Sequence, residues 1–219
     1  MIPTMLQSST ALLVLTLLAA ALDWWAVATD RRRLEEVAKP AVMVLLIGWV
    51  LTVPGADPTV RTWVVVALGL SLVGDVLLLP RIDVFVGGLA AFLLGHLAFV
   101  PALLPHADGL TGGIAALGLV PAAAFVGRRI ADGARQHGGQ PLASAVVVYV
   151  VAVGATALLA VASRAPLVML GGLLFATSDG VLGWNRFVAP LPNGRTIVHV
   201  TYHLAQVGLA TVVTLSTVA

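Results

Sequence analysis

Residues 62–80 read TWVVVALGLSLVGDVLLLP, an apolar run that is long enough to cross a bilayer and carries one charge, Asp75. Runs of this kind fill the chain. Of its 219 residues 59% are hydrophobic and 10% are charged, with a mean hydropathy of +1.03, whereas a soluble domain carries charge on about a quarter of its residues. The composition therefore predicts an all-α integral membrane protein, folded as a single polytopic domain over residues 1–219.

Eight runs could cross the membrane as helices. A spanning helix needs about 20 mostly apolar residues, and the runs are separated by charged residues, Pro or Gly. They cover residues 9–29, 40–55, 62–80, 84–104, 110–127, 142–162, 165–184 and 197–217. No Lys or Arg precedes the first run, which argues against a cleavable signal peptide. This run is therefore expected to remain as a helix.

Lysine and arginine concentrate in the connections that follow the odd-numbered runs. Ten lie there, against only Arg61 and Arg164 in the other connections. The positive-inside rule then puts the odd-numbered connections in the cytoplasm and both termini outside. A net charge of +2 gives nucleic-acid binding little support. The absence of Cys excludes disulfides, thiolate metal sites and a cysteine nucleophile.

Runs three and seven share a local pattern. Residues 72–78 (LVGDVLL) and 176–182 (ATSDGVL) each place a small residue before an Asp and a Leu three residues after it, and His96 is matched closely by His199. An offset of four helices preserves orientation, so a duplication would be a parallel 4+4 repeat. Similar pairs also arise by chance in a chain this rich in Gly, Ala and Val.

Three carboxylates lie inside the apolar runs, Asp23 in run one, Asp75 in run three and Asp179 in run seven, and the last two are the main candidates. An ionisable group within an apolar span costs several kcal/mol unless it is paired or hydrated, so each is a functional-site hypothesis. Snorkelling to the headgroups is the alternative, but an Asp side chain is too short to reach far. Paired carboxylates in a helical bundle also suit a small proton-coupled transporter. Against that reading, the polar residues lie in one leaflet rather than along a path through the membrane.

Run eight has a wide polar face. His199, His203 and Gln206 recur at helical spacing, and Tyr202 lies four residues before Gln206. A zinc-dependent hydrolase is a further alternative, because His199 and His203 are four residues apart, as two ligands on one helix should be. No Glu lies between them at the position that a metalloprotease helix would offer.

Three other candidates have ordinary structural explanations. Lys39, before run two, and Arg186, after run seven, would also serve as interfacial positive charges at helix ends. His96, which approaches the membrane midplane, would also serve as a neutral hydrogen-bond donor between helices.

Several short motifs occur in a definite order along the chain. They are Lys39-Pro40, SLVGDVLL at 71–78, FLLGH at 92–96, LFATSD at 174–179 followed by Arg186-Phe187, and YHLAQ at 202–206. The order and spacing of these motifs resemble those of the YhhN-like lysoplasmalogenase family, whose members are eight-helix membrane enzymes. The match extends over most of the chain. The Arg-rich segment 128–139 is longer and more polar than this pattern leads us to expect.

The resemblance implies hydrolysis of the vinyl-ether bond of a lysoplasmalogen, releasing a fatty aldehyde and a glycerophospho-headgroup. A protonated carboxyl would act as general acid, and an ionised one would stabilise the oxocarbenium ion and activate water, with no cofactor or metal. Asp75 and Asp179 suit these catalytic roles in either order. The implied substrate-binding or orienting residues are Lys39, His96, Tyr149, Ser178, Arg186, Tyr202, His203 and Gln206. The partners would be a lysophospholipid and the bilayer of the cell membrane, with the site facing the cytoplasmic leaflet and homo-oligomerisation left open.

Overall fold

The computed structural model describes residues 2–215, with side chains from residue 9 to 215, and in this range it contains helices and no strands. Its seven α-helices are α1 (Ile2–Ala28), α2 (Arg32–Thr52), α3 (Pro58–Leu77), α4 (Phe85–Leu103), α5 (Gly109–Ala162), α6 (Pro166–Phe187) and α7 (Gly194–Ala210). Single 3₁₀ turns follow α4 at Leu104–His106 and α7 at Thr211–Thr214. The all-α prediction is confirmed. The last two residues of run eight, 216–217, lie outside the described residues.

The helix count differs from the eight that were predicted. The connection expected at 128–141 is helical over most of its length, so α5 continues through runs five and six. Its Ala, Arg and Gln residues are good helix formers, although the Arg and Gln side chains are too polar for a membrane span. The helical dihedrals are interrupted only at Gly138 and Gly139, where Gly139 has φ 68° and ψ −165°. That conformation is open essentially to Gly alone.

Helix α5 folds back on itself at this interruption. A Cβ atom added to Gly127 would lie 2.9 Å from Cγ1 of Val150. These residues are 23 positions apart, which in a straight helix would separate them by about 35 Å. Residues 109–137 and 140–162 are therefore two antiparallel arms, which we call the first and second arms of α5.

The N-terminus of α5 is capped by Asp108. Its carboxylate accepts a hydrogen bond from the backbone N–H of Thr111 at 2.7 Å, and the hydrogen bonds from Thr111 lower the pKa of Asp108 below its usual range. The backbone N–H of Asp108 donates to the carbonyl of Ala162 at 2.8 Å. The start of the first arm is thereby tied to the end of the second.

Among the described residues, six helices are long and apolar enough to cross a membrane: α1, α3, α4, α5, α6 and α7. The first two turns of α2 carry five charged residues, namely Arg32, Arg33, Glu35, Glu36 and Lys39. Only the rest of that helix is apolar. The chain is a multi-pass membrane protein.

The chain forms two compact units. The first contains α1 to α4 and residues 210–215, and the second runs from His106 to Leu209. In the first unit α2 packs against α1 and α3, and α3 packs against α4. In the second unit α6 packs against α5. The single-domain organisation and the 4+4 repeat stay predictions.

Candidate active site

In the first unit, Lys39 of α2 forms an ion pair with Asp75 of α3. The distance from Nζ to Oδ1 is 3.3 Å. Lys39 is 7% exposed and Asp75 is fully buried. Since α2 begins at Arg32, Lys39 lies two turns inside the helix and directly before its apolar part. The charged residues before Lys39 continue the helix beyond the apolar run.

Small residues allow α3 and α4 to pack closely beside Asp75. A Cβ atom on Gly74 would lie 2.7 Å from the ring of Phe92, and one on Gly95 would lie 3.1 Å from the hydroxyl of Ser71. No larger side chain would fit at either glycine without moving these neighbours. The next residue after Gly95 is His96, which is 1% exposed. The predicted midplane histidine is therefore a buried residue of the helix that packs against α3.

In the second unit, Tyr149 of the second arm of α5 contacts Asp179 of α6. The Tyr149 hydroxyl donates a hydrogen bond to Oδ2 of Asp179 at 2.9 Å. The tyrosine is buried, with 6% of its surface exposed. A Cβ atom on Gly172 would collide with Ala160 of the same arm, so this glycine allows the close approach of α5 and α6. Oδ2 of Asp179 is thus held by a neutral donor from a neighbouring helix.

Helix α7 packs against the other side of α6. The Ser178 hydroxyl donates to the carbonyl of Val198 at 3.1 Å. A Cβ atom on Gly171 would lie 2.5 Å from the backbone nitrogen of Leu209. Because the residue numbers rise along α7 as they fall along α6, the two helices are antiparallel. Ser178, next to Asp179 in sequence, therefore fixes α7 at the level of that carboxyl.

The polar face of α7 is buried. The rings of Tyr202 and His203 lie 5.3 Å apart, and those of His199 and His203 lie 6.2 Å apart. Tyr202 also packs edge-on against Phe175 of α6, at a centroid distance of 5.7 Å. His203 and Gln206 are fully buried, and Tyr202 is 3% exposed. The polar side chains that the sequence places on one face of run eight are therefore packed inside the protein.

Arg186 is in the last turn of α6, and its side chain is exposed. It lies seven residues beyond Asp179, about 10 Å along the helix axis. Among the predicted site residues, Arg186 alone has an exposed side chain. An exposed guanidinium at a helix end is suited to contact an anionic group.

One buried charged residue was missed by the sequence prediction. Glu35 is 3% exposed and lies on α2, one turn before Lys39. Glu35 was not among the predicted site residues because run two was placed at 40–55, and Glu35 precedes that run. The signal was present, because a Glu four residues before a Lys is a favourable helical pair.

The zinc alternative requires at least three ligands that converge. Among the described residues no group of three or more His, Asp or Glu side chains is arranged to hold a metal ion. His199 and His203 are neighbours on one helix turn, but no third ligand joins them within that part of the chain. The structure instead gives each of the two candidate Asp residues a different partner, a cation for Asp75 and a phenol for Asp179.

Comparison with known proteins gives one consistent result. The model of the YhhN family matches residues 34–213, a range that includes every candidate residue named above. A protein named lysoplasmalogenase from Mycobacterium bovis is 34% identical over 180 residues, which cover 80% of this chain and 68% of that protein. Lysoplasmalogenase TMEM86B from Sus scrofa is 35% identical over 144 residues, which cover 64% of this chain and 58% of that protein. No solved structure matches the chain. This chain is therefore a member of the YhhN family.

Proposed function

We propose that this protein is a membrane hydrolase that cleaves the vinyl-ether bond of lysoplasmalogens. The relatives described above are named for this activity. The observation that carries the proposal is the pair of carboxyl groups within the apolar helices, with the fully buried Asp75 beside Lys39 and the partly buried Asp179 beside Tyr149. Two carboxyl groups can act as acid and base on one substrate when their environments differ.

The reaction needs one proton donor and one anion. Proton transfer to the β-carbon of the vinyl ether gives an oxocarbenium ion. Water adds to its cationic carbon and loses a proton, giving a hemiacetal, which collapses to a fatty aldehyde and the glycerol hydroxyl of the headgroup product. One carboxyl supplies the first proton, and an ionised carboxylate stabilises the cation and accepts the proton from water.

The partners of the two carboxyls suggest which has which role. The positive charge of Lys39 lies 3.3 Å from Asp75, so we assign to Asp75 the anionic role of stabilising the oxocarbenium ion and activating the attacking water. Asp179 is then the proton donor, and the hydroxyl of Tyr149 orients its carboxyl group. This assignment uses Lys39 to hold the charge of Asp75, and leaves Arg186 as the candidate for the headgroup phosphate.

Four other polar residues on α4, α6 and α7 are proposed to orient the water and the carboxyls. Each is buried, and Ser178 is already bonded to the backbone of α7. Water is otherwise scarce in an apolar bundle, so an attacking water needs polar side chains of this kind. The four are His96, Ser178, Tyr202 and His203.

We also propose that both arms of α5 cross the membrane, which together with α2 gives eight spans. A continuous helix of 54 residues would be about 80 Å long, far more than the roughly 30 Å of the hydrocarbon core. The fold-back at Gly138 and Gly139 divides it into two arms of ordinary spanning length. With eight spans the bias of Lys and Arg puts both termini outside and the ends of α3 and α6 that carry the two Asp residues on the cytoplasmic side.

The experiment that tests the function is product analysis with purified protein. Incubation with a lysoplasmalogen and with an ordinary lysophospholipid, with assays for both aldehyde and fatty acid, separates an ether hydrolase from an esterase. Aldehyde from the first substrate and no fatty acid from the second is expected. Fatty acid from the second, or activity that is lost on chelation and restored by zinc, would favour an ester hydrolase or a zinc-dependent mechanism instead.

A further inference from the structure

Gln206 of α7 is a buried amide whose hydrogen bonds are unmet. Its side chain is fully buried. Among the described residues, neither its oxygen nor its nitrogen has a hydrogen-bond partner. Leaving such a group unpaired costs free energy, and buried amides in folded proteins are nearly always satisfied by a side chain, backbone, water or ligand. This buried amide is therefore suited to a ligand that both donates and accepts a hydrogen bond.

The packing of α6 and α7 fixes where Gln206 lies relative to Asp179. The bond between Ser178 and Val198 places Asp179 at about the level of Val198. Gln206 is eight residues further along α7, or about 12 Å along the axis. Helical side chains lean toward the N-terminus of their own helix. Because these helices are antiparallel, Gln206 and Asp179 lean toward each other, and their polar groups are closer than their backbones.

The chemistry of the amide restricts the ligand. It presents a donor and an acceptor together, so a single hydroxyl group satisfies both. An ether oxygen or an ionised phosphate offers only acceptors, and a hydrocarbon chain offers neither. A lysoplasmalogen has a free hydroxyl on the sn-2 carbon of its glycerol, only a few bonds from the vinyl ether. That hydroxyl must leave water when the lipid enters an apolar bundle, and it then needs such a partner.

We infer that Gln206 binds the free sn-2 hydroxyl of the substrate and makes the enzyme selective for lysolipids. This inference rests on the proposed function. An acylated sn-2 oxygen keeps no hydrogen to donate, so it would leave the amide oxygen unpaired and would also be bulkier. Gln206 is thus a specificity-determining residue, distinct from the two carboxyls that carry out the chemistry.

The test uses two substrates and three proteins. The substrates are a lysoplasmalogen and its analogue with hydrogen in place of the sn-2 hydroxyl, and kcat/KM for aldehyde release is measured on each. Wild type should prefer the hydroxyl substrate by about 10- to 100-fold, the range expected for two hydrogen bonds. Gln206→Met, similar in length but without polar amide atoms, should bring that ratio to about one. Thr201→Val is the control on the same helix, because the Thr201 hydroxyl bonds the backbone of Ile197, and it should keep the wild-type ratio.

Three outcomes would overturn the inference. The first is a wild type with no preference between the substrates, and the second is a Gln206→Met protein that keeps the preference. The third is a Gln206→Met protein that loses activity equally on both substrates, which would indicate a bound water or a packing role. If Gln206→Met does not fold, Gln206→Leu also removes both polar amide groups, and it should likewise lower the ratio. If the wild-type protein releases no aldehyde from lysoplasmalogen, the proposed function itself is contradicted. Failure of the proposed function is thus distinguishable from failure of the inference on Gln206.

Discussion

Replacing Lys39 by Met removes the cation that lies 3.3 Å from Asp75 while keeping a side chain of similar length. At this distance, with an effective dielectric constant of about 20, the attraction between the two charges is about 5 kcal/mol. Both groups are buried, so the variant leaves a charge without its partner. Breaking a buried pair in this way typically costs about 3–5 kcal/mol of stability. In a chain of this size, that loss lowers Tm by roughly 6–20 °C.

A double-mutant cycle isolates this interaction. Thermal unfolding in detergent is measured for Lys39→Met, Asp75→Asn and the double variant, which should recover most of the loss because no charge remains unpaired. The control is Arg81→Met, which removes a pair with Glu36 at 2.9 Å in which Arg81 is 67% exposed. That change should cost under about 1 kcal/mol. The reasoning would be refuted if the losses of stability in Lys39→Met and Asp75→Asn simply added in the double variant. It would also be refuted if Arg81→Met lost as much stability as Lys39→Met.

Three further changes test other parts of the structure. Tyr149→Phe removes the hydrogen bond to Asp179 and should lower kcat/KM by about 10- to 100-fold with Tm nearly unchanged; wild-type activity would contradict it. Gly171→Ala places a methyl group against α7 and should lower Tm by several degrees, whereas Gly154→Ala, with open space around it, should raise Tm slightly. Gly139→Ala imposes strain of about 1–3 kcal/mol at a positive φ and should destabilise the fold-back of α5, as measured by thermal unfolding.

Hydropathy located the apolar segments well but did not always locate the helices. The ends of α4 agree with run four within one residue. Helix α2 instead begins eight residues before run two, because its charged first turns are helical without being apolar. The connection in α5 was misread for the same reason. Apolar runs show which residues avoid water, whereas helix ends depend on local hydrogen bonds and on residues such as Gly139.

The candidate site was predictable as a set of residues but not as a set of contacts. Asp75 was conspicuous because a carboxylate in an apolar run has few explanations. Its pairing with Lys39 depends on how α2 packs against α3, which no local pattern encodes. Glu35 was missed because it lies outside the apolar run. Likewise, the bond from Tyr149 to Asp179 joins residues 30 positions apart in sequence and depends on the packing of α5 against α6.

The two-carboxylate mechanism is tested most directly by aldehyde release from lysoplasmalogen by Asp75→Asn and Asp179→Asn. Each should reduce kcat by at least about 10²-fold, because each removes an acid or base group from the reaction, with the protein still folded by thermal unfolding. Asp132→Asn is the matched control, since the Asp132 side chain is 62% exposed and forms a surface ion pair with Arg135. It should retain the wild-type rate. Full activity in a folded Asp75→Asn or Asp179→Asn protein would contradict the mechanism.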